Sequence, residues 1–532
     1  MTGRAPLFPI ALIIIAVLAA ASGGRGQTPE RADLDVVVGL GLPPVDVGRL
    51  GGAARLTGTT ELVRRGLAVR STDIRTPDGA HIVRGRVIVK FRDGVPAGVR
   101  VAAASTASRN AALAARPSDA NFDIVRIDPA EDPQEVARAL ASRPDVEYAQ
   151  PVHHLYPQLV PNDPLYRQLQ WNFPLIDLER AWDIQPQAAS SITVAVVDTG
   201  IAYANATIRA TLPARTVEGT AYPALGPATI PYSAATQLAP SARFVAPRDF
   251  VCGTLFPQLG PLDFDGHGTH VAGTIGQTTN DGIGTAGIAF NVRLMPVKVL
   301  ASFWDVVLGC AADTGAGDDD VARAIRYAAD NGANIINLSL GGPGPEGSSP
   351  VMEDAIKYAV GKGAFVAMAA GNDFEDGNPT EEPAEIAQRV QGAVSVAAVD
   401  PNKQHSFFSS AGKWVELAAP GGSNRGFGDN GFIWQQTFNF NYTDTFDPSI
   451  GPYGPPRFDV LAYVGYIGTS QATPHVSALA AMLRQQGITS PAAIEAALER
   501  FATDLGTPGR DDLYGYGLIE ARNTLFGLGL AH

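Results

Sequence analysis

From residue 192 onward the chain repeats one pattern. A short run of apolar residues is followed by small or polar ones, then by a longer stretch whose apolar positions recur three or four apart. Short runs rich in β-branched aliphatics are the mark of strands buried on both faces. The pattern predicts strands at Ile192–Val197, Val292–Val299, Ala333–Leu340, Ala364–Ala370 and Ala393–Val399. It predicts helices starting at Val271, over Val321–Ala329, within Pro350–Lys362 and over Ala492–Phe501. Asp318-Asp319-Asp320 falls in a first helical turn, where the dipole favours acids, so this run needs no metal to explain it. Strands alternating with helices imply an α/β fold, a mostly parallel sheet with helices on both faces.

Residues 82–156 follow another rhythm. Val87–Phe91, Phe122–Ile127 and Val146–Gln150 read as strands, Ala102–Ala115 and Pro133–Ser142 as helices, a small α+β layer ahead of the larger domain. Gly and Pro at 39–44 and 51–52 break any element earlier on. The chain therefore divides into 1–24, a 25–80 leader or linker with no assigned role, a domain over 81–157, and the main domain over 158–530.

The N-terminus sets the compartment. Arg4 precedes the apolar Leu7–Ala21 and small residues follow to Gly24, the order of a secretory signal peptide; an uncleaved anchor is the alternative. The main product is then secreted, extracellular or periplasmic, with no membrane association after cleavage. Composition excludes more than it assigns. Among 532 residues, 45% are hydrophobic and 17% charged, with 57 Gly and 40 Pro, as in a compact, loop-rich globular protein. A net charge of -13 argues against a nucleic-acid partner. Cys252 and Cys310 are the two cysteines. Export permits a disulfide between them, with two buried thiols as the alternative.

Three stretches carry candidate chemistry. Ala195–Gly200 is a hydrophobic strand ending in Asp198-Thr199-Gly200. Asp265–Gly273 sets His267 and His270 among small residues. Val464–His475 joins a short apolar run to the Ala- and Leu-rich Val476–Leu483, which puts Ser470 near a helix N-terminus. Each has a plainer reading: a capping or turn Asp, a pair of His on one helix face that could bind a metal, and a Ser/Thr N-cap with Pro474 in the first turn. Asp, His and Ser together are the parts of a charge-relay nucleophile. Asp198-Thr199-Gly200, His267-Gly268-Thr269-His270, Gly468-Thr469-Ser470 and Ala369-Ala370-Gly371-Asn372 resemble, in order, four motifs of the subtilisin-like serine proteases, the subtilase family. The likeness runs from about Asn162 to Leu528. Gln471 departs from it, since a Met usually follows the nucleophile, and Tyr203–Ala206 does not match a His-Pro-Asp stretch common after the Asp motif.

The resemblance implies a subtilisin-like domain acting as a serine endopeptidase on proteins or peptides. Asp198 would orient His267, His267 would act as base, and Ser470 would attack. Asn372 and the Ser470 N–H would take the oxyanion. It implies that Ser339, Leu340 and Gly341, with Ala370 and Gly371, wall the first specificity pocket. No acid stands out there, so an apolar or broad preference is expected. It implies a structural calcium in the loop 279–285, with Asp281, Thr279, Ile283, Thr285 and Asp163 as ligands; a plain Asn-Asp-Gly turn is the alternative. It implies that 81–157 is an inhibitor-type, ferredoxin-like propeptide, a folding partner whose tail, Val152–Tyr156, lies in the cleft until self-processing in the window 152–161. A monomer is expected. An inactive subtilase-fold binding protein and an esterase are the competing classes. The second lacks its Gly-x-Ser-x-Gly elbow around Ser470. The aromatic-rich insertion 422–463 either packs over the sheet edge or lines further subsites.

Overall fold

The main sheet is built from runs that are apolar at every position because both faces are covered. β1 (Thr193–Asp198) is buried at all six residues. Val194 and Val196 enter one core, Ala195 and Val197 the other. With β2 (Arg248–Asp249), β3 (Arg293–Lys298), β4 (Ile335–Leu338), β5 (Phe365–Ala369), β6 (Ala393–Val399) and β7 (Leu417–Pro420) it forms a seven-stranded sheet in the order β2-β3-β1-β4-β5-β6-β7. Every neighbouring pair is parallel. Helices α1 (His267–Gly276), α4 (Thr469–Gln485) and α5 (Pro491–Phe501) pack on one face. Helices α2 (Asp318–Asp330) and α3 (Pro350–Gly361) pack on the other through Val321, Ile325, Met352 and Ile356. Each fully buried Val, Leu or Ile side chain adds about 1.5–3 kcal/mol, which is how the two cores hold the layers together.

This computed structural model describes residues 73–75, 81–114, 116, 119–153, 159–212, 214–217, 219–253, 257, 259–344, 349–446 and 452–526. The expected signal peptide, nearly all of the 25–80 leader and the tail residues 154–156 lie outside them. The described residues fall into two compact units divided at Tyr156/Pro157. In the first, His81–Phe91 is the central strand of an antiparallel sheet, bonded to Asp73–Arg75, Asp123–Arg126 and Val146–His153. Helices Ala97–Ala107 and Pro133–Ala141 cover it, and Asp132 caps the second by accepting from the Gln134 N–H. The unit is thus α+β, as expected.

Some expectations need correction. The helix placed at Ala102–Ala115 runs Ala97–Ala107, and Ala112–Leu113 instead pairs with Val125 and Arg126. Ser108-Arg109-Asn110 ends the helix, and pairing to an open strand edge outweighs the helix preference of Ala. Between β1 and β2 the chain forms two antiparallel strand pairs. Ala206–Leu212 pairs with Leu225–Tyr232, and Arg215–Val217 with Thr220–Tyr222. In the aromatic insertion, β8 (Ile433–Phe438) pairs antiparallel with β9 (Leu461–Tyr466), and Phe432, Trp434, Phe438, Phe440 and Phe458 are buried, which favours its packing role. Pro474 is the sixth residue of α4, not in its first turn. Cys252 and Cys310 form a disulfide across a separation of 58 residues, tying the turn after β2 to the end of the short helix Phe303–Leu308.

Candidate active site

Asp198 is the last residue of β1 and its side chain is fully buried. Ligand sites in such sheets lie outside the carboxyl ends of strands. Here the ends of β1, β4 and β5, adjacent in the sheet, deliver Asp198, Ser339 and Ala370–Asn372. The helix after the His motif starts at His267 itself. Gly266, at φ 114, precedes it where a Cβ would sit 2.8 Å from Thr437 Oγ1. His267 Nδ1 lies 2.8 Å from Asp198 Oδ1, which also accepts from the Thr199 N–H at 2.7 Å. Asp198 Oδ2 is buried without a partner.

Asp263, four residues before His267, organises this corner and was not singled out in the sequence. Its Oδ1 accepts from Thr199 Oγ1, Asp265 N and Gly266 N, each at 2.9 Å, and its Oδ2 from the Thr269 N–H and hydroxyl. An acid just ahead of a helix start was the legible signal. A quarter of the His267 side chain reaches solvent. Burial pushes its pKa down, but the Asp198 carboxylate, by charge and hydrogen bond, and then Asp265 and Asp263 push it up to about 9. His270, by contrast, is buried, its Nε2 faces the Ile433 and Val464 carbonyls at 3.0 and 3.1 Å, and burial first of all lowers its pKa to about 3. It is a packing residue against Tyr466, ring centroids 4.4 Å apart, and not half of a metal pair with His267.

Ser470 is the second residue of α4 and half-buried, and its backbone N–H has no acceptor among the described residues, as befits a first helical turn. Pro474 lacks the N–H that would bond the Ser470 carbonyl. Ser339 Oγ donates to that carbonyl instead, at 2.7 Å, and Ser470 Oγ donates to the Ser339 carbonyl at 3.1 Å. Ser339 is held in turn by Asn337, and Asn337 by Ser477. Asn372 Oδ1 accepts from Thr469 N at 2.9 Å and Thr469 Oγ1 at 3.0 Å. That fixes the amide's orientation and leaves its Nδ2 as a donor without an acceptor among the described residues. Two unspent N–H donors thus adjoin one hydroxyl.

Of the expected pocket walls, Ser339, Leu340, Ala370 and Gly371 are buried and Gly341 is exposed. Glu381, which the sequence reading passed over, lies directly against Gly371. Gln471 is buried with its Nε2 unpartnered, beside Gly468.

In the loop 279–285, Asp163 Oδ2 accepts from Asn280 N at 2.7 Å and Oδ1 from Asp281 N at 3.3 Å. Burial, and then a hydrogen bond shared with Asp281, raises Asp163 against its backbone donors. Two carboxyls brought this close suit a hard cation. The Thr285 carbonyl and hydroxyl both accept from Gln277 Nε2, and Thr279 Oγ1 donates to the Gln277 and Gly287 carbonyls. Elsewhere, ligand oxygens of Glu416, Glu495 and Glu499 lie within 4.8 Å of one another, close enough to share a divalent cation. No helix of the described residues is long and apolar enough to cross a membrane.

Comparison with known proteins agrees with this geometry. The subtilase family profile matches residues 189–517, and one for the fervidolysin N-terminal prodomain matches residues 70–151. The chain is 29% identical over 458 residues to a thermophilic serine proteinase of Bacillus sp. (strain AK1), spanning 86% of this chain and 91% of that protein. It is 32% identical over 350 residues to thermitase of Thermoactinomyces vulgaris, spanning 66% and 94%. Among solved structures, a protease from Pseudoalteromonas arctica PAMC 21717 is similar at a TM-score of 0.51 and 26% identity, over 69% of this chain and 99% of that one.

Proposed function

Because this chain belongs to the subtilase family, we propose that Asp198, His267, Ser470 and Asn372 are its catalytic apparatus, in a serine endopeptidase that is secreted or periplasmic. We take it to be made as a signal-bearing zymogen that processes itself. The observation that supports this most is the 2.8 Å contact of His267 Nδ1 with buried Asp198, together with a Ser470 N–H and an Asn372 Nδ2 that have no acceptor among the described residues. With Nδ1–H held by Asp198, Nε2 is left to accept a proton. Ser470 Oγ turns from the Ser339 carbonyl toward Nε2, loses its proton to it and attacks the scissile carbonyl. The developing oxyanion is met by the Ser470 N–H and Asn372 Nδ2. His267 then returns the proton to the leaving amine, and water repeats the sequence on the acyl-enzyme. Substrates are proteins and peptides, and the N-terminal domain is the chain's own partner. A fluorophosphonate should label the matured protein at Ser470; matured protein that stays unlabelled would restore the inactive-fold reading.

Asn372→Ala removes one oxyanion donor, so kcat should fall about 10²–10³-fold with KM little changed. A fall below about threefold on a short peptide substrate would place the oxyanion elsewhere.

The pH profile follows from the carboxylates around His267. The working form is the neutral imidazole, and Asp198, Asp265 and Asp263 favour the proton. Activity is therefore lost as pH falls through the raised value. The acid limb of kcat/KM should lie above pH 7, higher than the near-neutral value that an unperturbed His would give. Asp265→Asn should move it down. A wild-type midpoint at or below the unperturbed His value of about 6.5 would contradict this.

Calcium, when bound, would tie the loop 279–285 to residue 163 as a structural cross-link. We assign its holding to Asp163, Asp281 and the carbonyls of Thr279 and Ile283, with Thr285 already engaged by Gln277. At calcium about 100 times its Kd the gain is about 2.7 kcal/mol. Chelation should therefore lower Tm in the wild type and not in Asp163→Asn. An identical Tm for wild type with and without chelator would remove calcium from this account.

A further inference from the structure

The two pocket walls close on a buried acid. Gly371 stands next to the oxyanion donor Asn372, and a Cβ on it would lie 2.3 Å from Glu381 Cδ. The Glu381 carboxyl therefore fills the space that a side chain at 371 would take. The opposite wall is fastened to the same segment. Gly342–Pro343 pairs antiparallel with Glu381–Glu382, and a Cβ on Gly341 would lie 2.7 Å from the Glu382 carbonyl. Residues 381–382 thus bridge the 339–341 and 369–371 segments.

Glu381 is only 1% exposed, yet it is not satisfied. Oε1 accepts from Ser410 Oγ at 3.0 Å, while Oε2 has no partner. Ser410 also accepts from the Asp373 N–H at 3.0 Å and donates its own N–H to the Gly371 carbonyl at 2.9 Å. Asp373, one residue past Asn372, is the acid that acts on the Glu381 carboxyl. Among the described residues no Lys, Arg or His forms an ion pair with either acid; the one charged neighbour acting on Glu381 is Asp373. Burial, and then Asp373, pushes Glu381 up to about 8. A buried acid pair with an open oxygen and no counter-ion is costly, and an apolar pair of similar volume would serve packing as well or better. A cation arriving with the substrate would supply the missing partner, and a guanidinium fork can bond a carboxylate through two N–H groups.

We propose that Glu381, with Asp373 beside it, makes this enzyme prefer Lys or Arg at the residue preceding the scissile bond, in place of the apolar or broad preference read from the sequence. The assignment rests on the proposed reading of the site, in which 339–341 and 369–371 flank that residue. The plainer role is a proton-sharing pair that locks the loop 373–381. A lock would alter stability or activity on all substrates together. A charge partner changes the ratio between substrates.

The test is kcat/KM of matured enzyme on matched short peptides carrying Lys, Arg, Leu or Phe at that position. Active sites are first counted with a fluorophosphonate. Wild type should favour Lys and Arg over Leu by about tenfold or more, and Glu381→Gln should lower the Lys:Leu ratio by about 30-fold or more. A Lys:Leu ratio that Glu381→Gln leaves in place overturns the proposal, whichever substrate wild type prefers. Should Glu381→Gln not fold, Asp373→Asn must lower the same ratio, and the wild type's own cleavage map on a denatured protein decides. Cuts after Lys and Arg support the assignment, and cuts without that enrichment overturn it. Wild type that takes no fluorophosphonate would instead sink the protease reading beneath it.

Discussion

Purified Ser470→Ala precursor, free of other proteases, stays at full pro-length while the wild type shortens within the window 152–161. The substitution deletes one oxygen. That oxygen's protein contact is a single bond to the Ser339 carbonyl, so folding should be nearly untouched. Peptidase activity should fall by about 10⁶-fold, the loss expected when a triad nucleophile is removed. On the proposed self-processing the junction peptide is tethered to the enzyme that cuts it and would react as an intramolecular substrate, gaining from proximity. Intact mass and N-terminal sequencing read the outcome. If both proteins shorten at one bond and at one rate, self-processing is wrong and an outside protease matures the chain.

Asp198→Asn is the second large effect. The side chain is buried and nearly isosteric, so the 2.8 Å contact with His267 Nδ1 can persist. Its sense reverses, however. An amide N–H aimed at Nδ1 makes that nitrogen the acceptor and puts the ring proton on Nε2, which on the proposed mechanism can then no longer take the Ser470 proton. A loss of about 10⁴ in kcat follows, with KM close to wild type and Tm little altered. The Thr199 N–H, which donates to Asp198 Oδ1 at 2.7 Å, opposes that orientation of the amide, but the opposite one buries the amide NH2 at the Oδ2 position with no acceptor among the described residues, and both remove the carboxylate charge that supports the imidazolium. A kcat within tenfold of wild type would show that the imidazole is oriented by something other than Asp198.

Five of the seven main-sheet strands could be read from the sequence because burial on both faces leaves an unbroken apolar run, and Ala393–Val399 is bounded as expected, whereas the edge strands Arg248–Asp249 and Leu417–Pro420 are too short to carry that signal. The residues proposed as the triad stand out in the sequence because each sits in a cluster of small residues at the end of an element, where the backbone must turn sharply. What escaped notice lay in contacts between distant segments. Asp263 caps the corner through five hydrogen bonds to Thr199, Asp265, Gly266 and Thr269, and nothing in its local sequence marks it beyond an acid before a helix. Glu381 lies against Gly371 by side-chain contact and is tied to Gly342–Pro343 by a two-residue strand pairing, neither of which has a periodic signature. The Ala-rich 102–115 stretch misled because helix preference is a local average, whereas Ala112–Leu113 is fixed by a strand edge ten or more residues further on.

Helix α4 carries Ser470, the proposed nucleophile, and all of residues 471–483 within it are buried, largely against strands and helices that precede it in the chain. Synthesis runs from the other end, so Asp198 and His267 leave the ribosome 272 and 203 residues before Ser470. Until α4 threads into its place there is neither a nucleophile nor a second oxyanion donor. A nascent, truncated or half-folded chain is therefore chemically harmless to the cell that makes it. Reactivity arrives last and all at once, so the order of synthesis protects the producing cell before any inhibitor is needed.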